Sequence, residues 1–234
     1  MTPDVYVISS GRHDRLPFDE KQKAHYHFIV REDEVGAYKG VGCVNVYGTK
    51  SAAQESGSES NLVNSRNFAL DHAFGRGRIC VQLDDDLERV RIRNTNTEVS
   101  PQEAIDHMVE KFNQCQGVYH MGVSPTTNDY FIKTDFSKNL FMPACMTLTK
   151  PTPLRYDERL TLKEDYDYCL QHTTKYGVTL RYHHYIWCFK AKTNDGGCQN
   201  YRSSEEEQRC IRIIRRKWGD KVRLHPTRKD EISI

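Results

Sequence analysis

Three consecutive aspartates, Asp84, Asp85 and Asp86, follow the apolar run 78–83. Adjacent carboxylates repel one another, so such a cluster persists in a fold mainly where a cation or a basic partner neutralises it. Carboxylate oxygens suit Mg²⁺ or Mn²⁺, and these cations in turn bind phosphate oxygens. The triplet therefore indicates a divalent-metal site for a phosphate-bearing ligand, and a solvated acidic turn at a strand end is the alternative.

Two further groups of polar residues follow later in the chain. Glu164 and Asp165 open the predicted helix 162–176, where the helix dipole stabilises acids, so a capping role is the alternative to a chemical one. His225 ends the predicted strand 221–224. A lone histidine is more often a satisfied surface or core residue than a ligand.

Alternating strand-like and helix-like segments must position these side chains. The predicted strands are 4–9, 27–31, 42–47, 78–83, 117–123, 140–148, 179–190 and 221–224. The predicted helices are 61–74, 101–114, 162–176 and 203–218. The spacing of the first strands suits parallel strands joined by crossovers. An open α/β sheet binds ligands at the carboxyl ends of its strands, which is where the acidic triplet falls.

Composition narrows the class of protein. The chain has 234 residues, of which 37% are hydrophobic and 28% charged, as expected for a globular protein with one sizeable core. Its apolar runs fall short of the roughly 20 residues of a membrane helix, and its first residues lack a signal-peptide pattern. The 8 cysteines form no CxxC pair, which favours reduced core thiols. We therefore expect a cytoplasmic protein.

Positive charge is concentrated near the end of the chain, although the net charge is only +2. The basic residues of the segment 209–228 are Arg209, Arg212, Arg215, Arg216, Lys217, Lys221, Arg223 and Arg228. Asp220 is the one acid among them. Such a face predicts an anionic partner, and a solvated face of an amphipathic helix is the alternative.

Taken together and in this order, the motifs resemble those of glycosyltransferases of the GT-A fold. They are Ser9-Ser10-Gly11-Arg12 after the first strand, Asn64-Ser65-Arg66-Asn67 in a helix, a DxD motif at Asp84 to Asp86, the acidic motif Lys163-Glu164-Asp165, and His225. The resemblance covers the chain from Val5 to His225. It implies an α/β fold: one GT-A-like (Rossmann-like) domain, 1–234, with a central, mostly parallel sheet flanked by helices. Residues 1–100 would form the donor half and 101–234 the acceptor half.

The resemblance also implies residue roles. The donor would be a nucleotide-sugar, by family likeness a UDP-sugar, and the cofactor would be Mn²⁺ or Mg²⁺ held by Asp86 and His225. The implied donor-site residues are Ser9, Ser10, Arg12, Arg66, Asp84 and Asp85. Arg12 and Arg66 could instead be ordinary surface arginines. If the reaction inverts the anomeric centre, Asp165, beside Glu164, would be the general base, whereas a retaining reaction would not need it there.

A looser likeness concerns the acceptor. The segments VISSGR (7–12) and VQLDDD (81–86), with the loop Asn194-Asp195-Gly196-Gly197, resemble the phage glycosyltransferases associated with TET/JBP dioxygenases. That resemblance implies 5-hydroxymethylpyrimidine in DNA as the acceptor. The acceptor-site candidates are Gly196, Gly197, Trp187, Arg212 and Arg216. Trp187 could stack on a flipped base, and core packing is the alternative.

Three classes of function remain open from the sequence. The first is a glycosyltransferase, with DNA or else a protein, a glycan or a small molecule as acceptor. The second is a metal-dependent nucleotidyltransferase, although SSGRHDRLPF stands where such enzymes carry a glycine-rich GxGxxRxxPK loop. The third is a nucleic-acid-binding module without catalysis, which should ignore EDTA, whereas both enzymes should not.

Overall fold

The strands and helices of the protein are described by a computed structural model for residues 1–50, 52–53, 59–60, 62–190 and 202–234. In chain order, the strands are β1 Pro3–Ile8, β2 His27–Arg31, β3 Asn45–Thr49, β4 Ala52–Ala53, β5 Glu59–Ser60, β6 Ile79–Asp84, β7 Leu87–Ile92, β8 Glu98–Val99, β9 His120–Gly122, β10 Phe136–Lys138, β11 Met146–Thr149, β12 Leu180–Tyr182, β13 Tyr185–Phe189, β14 Arg223–Leu224 and β15 Ile232–Ser233. The α-helices are α1 Glu20–His25, α2 Val35–Gly40, α3 Leu62–Gly75, α4 Pro101–Gln114, α5 Glu164–Tyr176 and α6 Ser204–Trp218.

Eight strands form the central sheet, in the order β10-β12-β9-β11-β6-β1-β2-β3. The neighbours β3, β2, β1 and β6 run parallel to one another. β11 is antiparallel to both β6 and β9, whereas β12 is parallel to β9 and β10 antiparallel to β12. Most strands therefore point the same way, so the carboxyl ends of β1, β6, β9 and β12 meet at one edge of the sheet. This edge is called the catalytic edge below.

Hydrophobic cores lie on both faces of the central sheet. Successive side chains of a strand point to opposite faces, and in β1 Val5 and Val7 join one core while Tyr6 and Ile8 join the other. α4 packs into the first core and α3 into the second. The structure thus confirms the predicted α/β class with a mostly parallel sheet flanked by helices, consistent with a GT-A-like domain. The division into donor and acceptor halves stays a prediction.

Smaller elements surround this sheet. β13, β7 and β8 form a three-stranded antiparallel sheet, β14 pairs with β15, and β4 pairs with β5. A third apolar cluster joins α5, α6 and the β14–β15 hairpin. Among the helices of the described residues, none is long and apolar enough to cross a membrane.

The helices were predicted more accurately than the strands. Ser100 accepts a hydrogen bond from the backbone N–H of Glu103 at 3.1 Å, and Ser203 accepts one from Glu206 at 3.1 Å. These side chains cap α4 and α6 at the predicted starts. Helix ends differ from the predicted ones by no more than about two residues, as boundary assignments themselves do.

Several predicted strands were wrong in extent: 117–123 shortens to β9 and 221–224 to β14, and two others were interrupted. The prediction of one strand over 179–190 fails because the chain passes from the central sheet (β12) to the small sheet (β13) at His183 and His184. The prediction over 140–148 fails in its first part, because only Met146–Thr149 pairs. Pro143 has no N–H to donate to a sheet, and the residues around it are irregular. β-Propensity alone could not reveal either interruption.

Candidate active site

The acidic triplet lies at the catalytic edge, in the turn between β6 and β7. Asp84 is the last residue of β6, and its backbone N–H donates to the carbonyl of Cys145 at 2.9 Å. The carbonyl of Asp86 accepts from the N–H of Lys190 at 3.0 Å. The turn is therefore fixed from both sides, and it holds three carboxylates in a restricted volume.

Asp85 is the buried member of the triplet. Its carboxylate accepts hydrogen bonds from the Arg12 guanidinium and the Ser9 hydroxyl, and Ser9 in turn bonds the hydroxyl of Tyr38. Burial raises the pKa of Asp85, whereas Arg12 and Ser9 act in the opposite direction. These contacts join the end of β1 to the triplet. Arg12 is accordingly not a free surface arginine, since its side chain is only 11% exposed.

Asp84 and Asp86 are the accessible members, with side chains 29% and 19% exposed. Burial, followed by the charges of Asp84 and Asp85, raises the pKa of Asp86 to about 7. Arg12 is 3.7 Å from Asp86 and offsets this repulsion only in part. A carboxyl group whose ionisation is opposed by its neighbours gains most from an added cation, so this pair fits a divalent metal.

Arg66 connects the triplet with the second acidic motif. It lies in α3 and is 3% exposed. Its guanidinium donates to Asp84 at 3.1 Å, to Glu164 at 3.2 Å and to the carbonyl of Ala144 at 3.1 Å. One buried cation thus holds two carboxylates that are eighty positions apart in the chain, and the alternative of a surface arginine is excluded.

Glu164 and Asp165 begin α5 directly after Lys163, whose φ of 61° is left-handed. A lysine in this conformation costs about 1–2 kcal/mol, and such strain clusters at functional sites. Burial raises the pKa of Glu164, and Arg66 counteracts it. Burial and the charge of Glu164 raise the pKa of Asp165 to about 7. Asp165 is half-buried, and a carboxyl with that pKa is suited to proton transfer near neutrality.

Several contacts of this site were not predicted. The Tyr38 hydroxyl also accepts from the backbone N–H of Arg12 at 3.3 Å. Nothing in the sequence of the short helix α2 indicated this. Gln82 is 1% exposed, accepts from the Tyr156 hydroxyl at 3.1 Å and donates to the carbonyl of Arg66 at 2.9 Å. A single amide within an apolar strand was the available signal, because buried amides require partners.

The other candidate residues lie apart from these contacts. His225 follows β14, where the backbone N–H of Arg228 donates to its Nδ1 at 3.1 Å and Arg228 Nε lies 3.2 Å from its Nε2. Within the described part of the chain, no three His, Cys, Asp or Glu side chains are grouped as a metal site, so His225 and the triplet are not brought together. Ser10 is half-buried next to Ser9.

The acceptor candidates are dispersed. Trp187 is 4% exposed and belongs to the main core, which favours packing over contact with a base. Arg212 and Arg216 are exposed on α6. Gly196 and Gly197, with the rest of the predicted acceptor loop, lie outside the described residues. The role of each of these residues in acceptor binding stays a prediction.

Comparison with known proteins agrees with this geometry. The family model of the TET-associated glycosyltransferases matches residues 3–197, which include both acidic motifs and Arg66. A search of curated proteins gave no match. The family model covers most of the chain. The chain belongs to the TET-associated glycosyltransferase family and is a glycosyltransferase, an enzyme that takes its sugar from a nucleotide-sugar donor.

Proposed function

We propose that this glycosyltransferase is metal-dependent, uses a UDP-sugar and glycosylates 5-hydroxymethylpyrimidines in DNA. The observation that supports the proposal most is Arg66, which ties Asp84 of the donor motif to Glu164 of the acidic motif. Donor and acceptor chemistry must occur within a few ångströms of each other. The Arg66 guanidinium, bonded to both motifs, holds the donor motif and the acidic motif close to each other.

The donor would lie between the end of β1 and the triplet. Asp84 and Asp86 are the residues that would hold Mn²⁺ or Mg²⁺, and the cation would supply positive charge to the departing diphosphate. His225 fits this role poorly, because its Nδ1 already accepts a hydrogen bond and the Arg228 guanidinium lies against its ring. Ser10 and Arg12 border the same edge and are suited to contact the donor.

Asp165 would act on the acceptor. In an inverting reaction, the acceptor oxygen forms a bond to the anomeric carbon as the bond to the diphosphate breaks. The hydroxyl proton passes to the Asp165 carboxylate, and the nucleoside diphosphate leaves with the bonding electrons. Glu164 keeps Arg66 in place and adds negative charge beside the base.

A DNA acceptor is supported by family membership and by charge. Arg212, Arg215 and Arg216 are exposed on α6, opposite the buried Cys210 and Ile214. Such a stripe suits phosphates, which supply most of the affinity in DNA binding. A protein, a glycan or a small molecule is the competing acceptor. Nucleotidyl transfer is disfavoured, since the matching family transfers sugars.

The test is to incubate the protein with a panel of nucleotide-sugars and DNA containing 5-hydroxymethylcytosine or 5-hydroxymethyluracil, then to analyse the nucleosides by mass spectrometry. We expect a mass increase of one sugar that EDTA abolishes and Mn²⁺ or Mg²⁺ restores. Asp86→Asn should lower the rate by at least about a hundredfold, in the range for lost electrostatic stabilisation. Asp71→Asn is the matched control, because Asp71 is an exposed acid paired with Arg155. Full activity in EDTA would contradict the metal site, and unmodified DNA with every donor would contradict the acceptor.

A further inference from the structure

Two adjacent aromatic rings project into solvent from the connection between β9 and β10. Tyr130 is 72% and Phe131 69% exposed, and their rings meet edge to face with centroids 5.4 Å apart. Phe136, the first residue of β10, and Leu140, just after β10, are 38% and 40% exposed. Isolated exposed apolar residues are common, but a cluster of large ones marks a contact site.

The backbone beneath these rings is firmly anchored. Asp129 accepts two hydrogen bonds from Arg91, at 2.8 Å and 3.1 Å, and one from the N–H of Asn94 at 3.0 Å. Arg93 donates to the carbonyl of Ile132 at 3.2 Å, and the Ile132 side chain is buried. The backbone that carries the rings is therefore ordered before a ligand binds, which lowers the conformational entropy lost on binding.

The topology places this connection at the active site. β9 and β6 run in the same direction, so the chain leaves β9 at the catalytic edge, where the acidic triplet lies. β10 is antiparallel to β12 and β12 is parallel to β9, so the connection also enters β10 from this edge. Both ends of the connection, and with them the loop that carries the rings, therefore lie on the same side of the sheet as the triplet.

The charges around the rings favour an anionic ligand. The acids of the connection, Asp129 and Asp135, are paired with Arg91 and Arg93. Lys133 lies 4.4 Å from the centroid of the Tyr130 ring and is exposed, as is Lys138. Among the described residues, no carboxylate forms an ion pair with either lysine. Flat apolar rings next to unpaired ammonium groups match a ligand with stacked bases and phosphates.

We propose that Tyr130 and Phe131 form a wedge that enters a DNA duplex next to the target base and holds the duplex open while the base is in the active site. The inference rests on the proposed DNA acceptor and goes beyond it by assigning residues to base extrusion. A base inside a duplex cannot reach an active site without leaving the stack. Inserted aromatic side chains replace the lost stacking. Single-stranded DNA has no such stack to open, so the wedge matters mainly for duplex substrates.

The test compares duplex and single-stranded DNA of one sequence, with 5-hydroxymethylcytosine as target and 2-aminopurine beside it. In the parent, binding to the duplex should raise 2-aminopurine fluorescence, because the neighbouring stack is broken. The double variant Tyr130→Ala, Phe131→Ala should lose this rise. Its ratio of kcat/KM on duplex to kcat/KM on single strand should fall at least about tenfold, the equivalent of about 1.4 kcal/mol. Val44→Ala removes another exposed apolar side chain away from the connection and should leave the ratio unchanged.

The outcomes separate the wedge from the proposed function. If the double variant keeps the parental ratio, or loses activity equally on both substrates, the wedge is wrong while DNA glycosylation stands. If the parent modifies neither substrate yet still hydrolyses a nucleotide-sugar, the DNA acceptor is wrong and the wedge falls with it. A lower ratio together with unchanged 2-aminopurine fluorescence would also overturn the wedge, since the rings would then not act on the stack. Thermal denaturation of both variants establishes that they are folded.

Discussion

At the residue scale, the charge balance around Arg66 organises the site. A buried ion pair gives little net stability compared with apolar packing, but loss of one partner leaves an unpaired charge in the interior. Glu164 would be left so without Arg66, and the more accessible Asp84 would lose its partner, because both accept hydrogen bonds from Arg66. The Arg66 side chain is therefore expected to matter for the fold as well as for the reaction.

Arg66→Met should lower the free energy of unfolding at pH 7 by about 3–5 kcal/mol, as measured by urea denaturation without added metal. The double variant Arg66→Met, Glu164→Gln should recover part of this loss, because one stranded charge is removed. Arg31→Met is the control, since Arg31 pairs with Asp33 at the surface and its loss should cost no more than about 1 kcal/mol. If Arg66→Met and Arg31→Met had the same free energy of unfolding, Arg66 would not be needed to neutralise the carboxylates around it.

Asp165 leads to a prediction about pH. A general base works only when ionised, so kcat/KM should rise about tenfold per pH unit below the pKa of about 7 and level off above it. At a saturating metal concentration, which keeps Asp86 ionised, Asp165→Asn should lower the plateau by about 10²–10⁴ and abolish the remaining pH dependence. A profile that is flat from pH 5 to 8 in the parent would rule out Asp165 as the base.

The raised pKa of Asp165 also affects the free energy of unfolding. The pKa of Asp165 is higher in the folded protein than in the unfolded chain, so the folded state binds the proton more tightly. Its contribution is favourable at low pH and is lost as the pH rises from about 4 through about 7. Asp165→Asn should make this part of the stability curve flatter, which urea denaturation at several pH values would measure.

At the element scale, the helices α4 and α6 could be predicted because the signals that start them are local. Ser100 with Pro101 and Ser203 with three following glutamates mark helix starts on their own. The strands could not be predicted to the same extent, since pairing depends on distant residues. The sequence around His183 gives no sign that the chain changes sheets there. The left-handed conformation of Lys163 is likewise imposed by its surroundings, because Lys163 Nζ donates to the carbonyl of Asp230 at 2.8 Å.

The α6 helix leads to a prediction about salt. If its exposed arginines contact phosphates, the triple variant Arg212→Ala, Arg215→Ala, Arg216→Ala should make the slope of log affinity for DNA against log salt shallower by about three units. Fluorescence anisotropy with labelled duplex DNA would measure it. Surface positions rarely affect folding by more than about 0.5 kcal/mol, so the variant should remain folded.

A matched control for α6 removes three exposed lysines elsewhere, namely Lys21, Lys39 and Lys175. Its net charge changes by the same amount, so any difference between the two variants reports the location of the charge and not its sum. An equal decrease of slope in both would show that α6 has no special contact with DNA.

At the scale of the whole molecule, the order of motifs along the chain predicted the class of fold, whereas the roles of the site residues stay predictions. Strand order and the antiparallel position of β11 between β6 and β9 were beyond the sequence, because they depend on which strands find each other after folding. The contacts between side chains inside the site could not be predicted from the sequence either. Asp84 and Glu164 could be identified as candidates one by one, but the guanidinium that they share is brought between them only by the folded chain.

The position of β11 also affects how the protein emerges from the ribosome. β6 pairs on one side with β1, made early, and on the other with β11, made much later. Until β11 arrives, β6 presents an open edge, the kind of surface that recruits other strands and leads to aggregation. Arg66 must wait still longer for Glu164, which is 98 residues downstream, or roughly 5–20 s at ordinary rates of synthesis. A fragment ending near residue 100 would carry the acidic triplet on a strand whose second edge stays permanently open, and we expect it to aggregate more readily than the full chain.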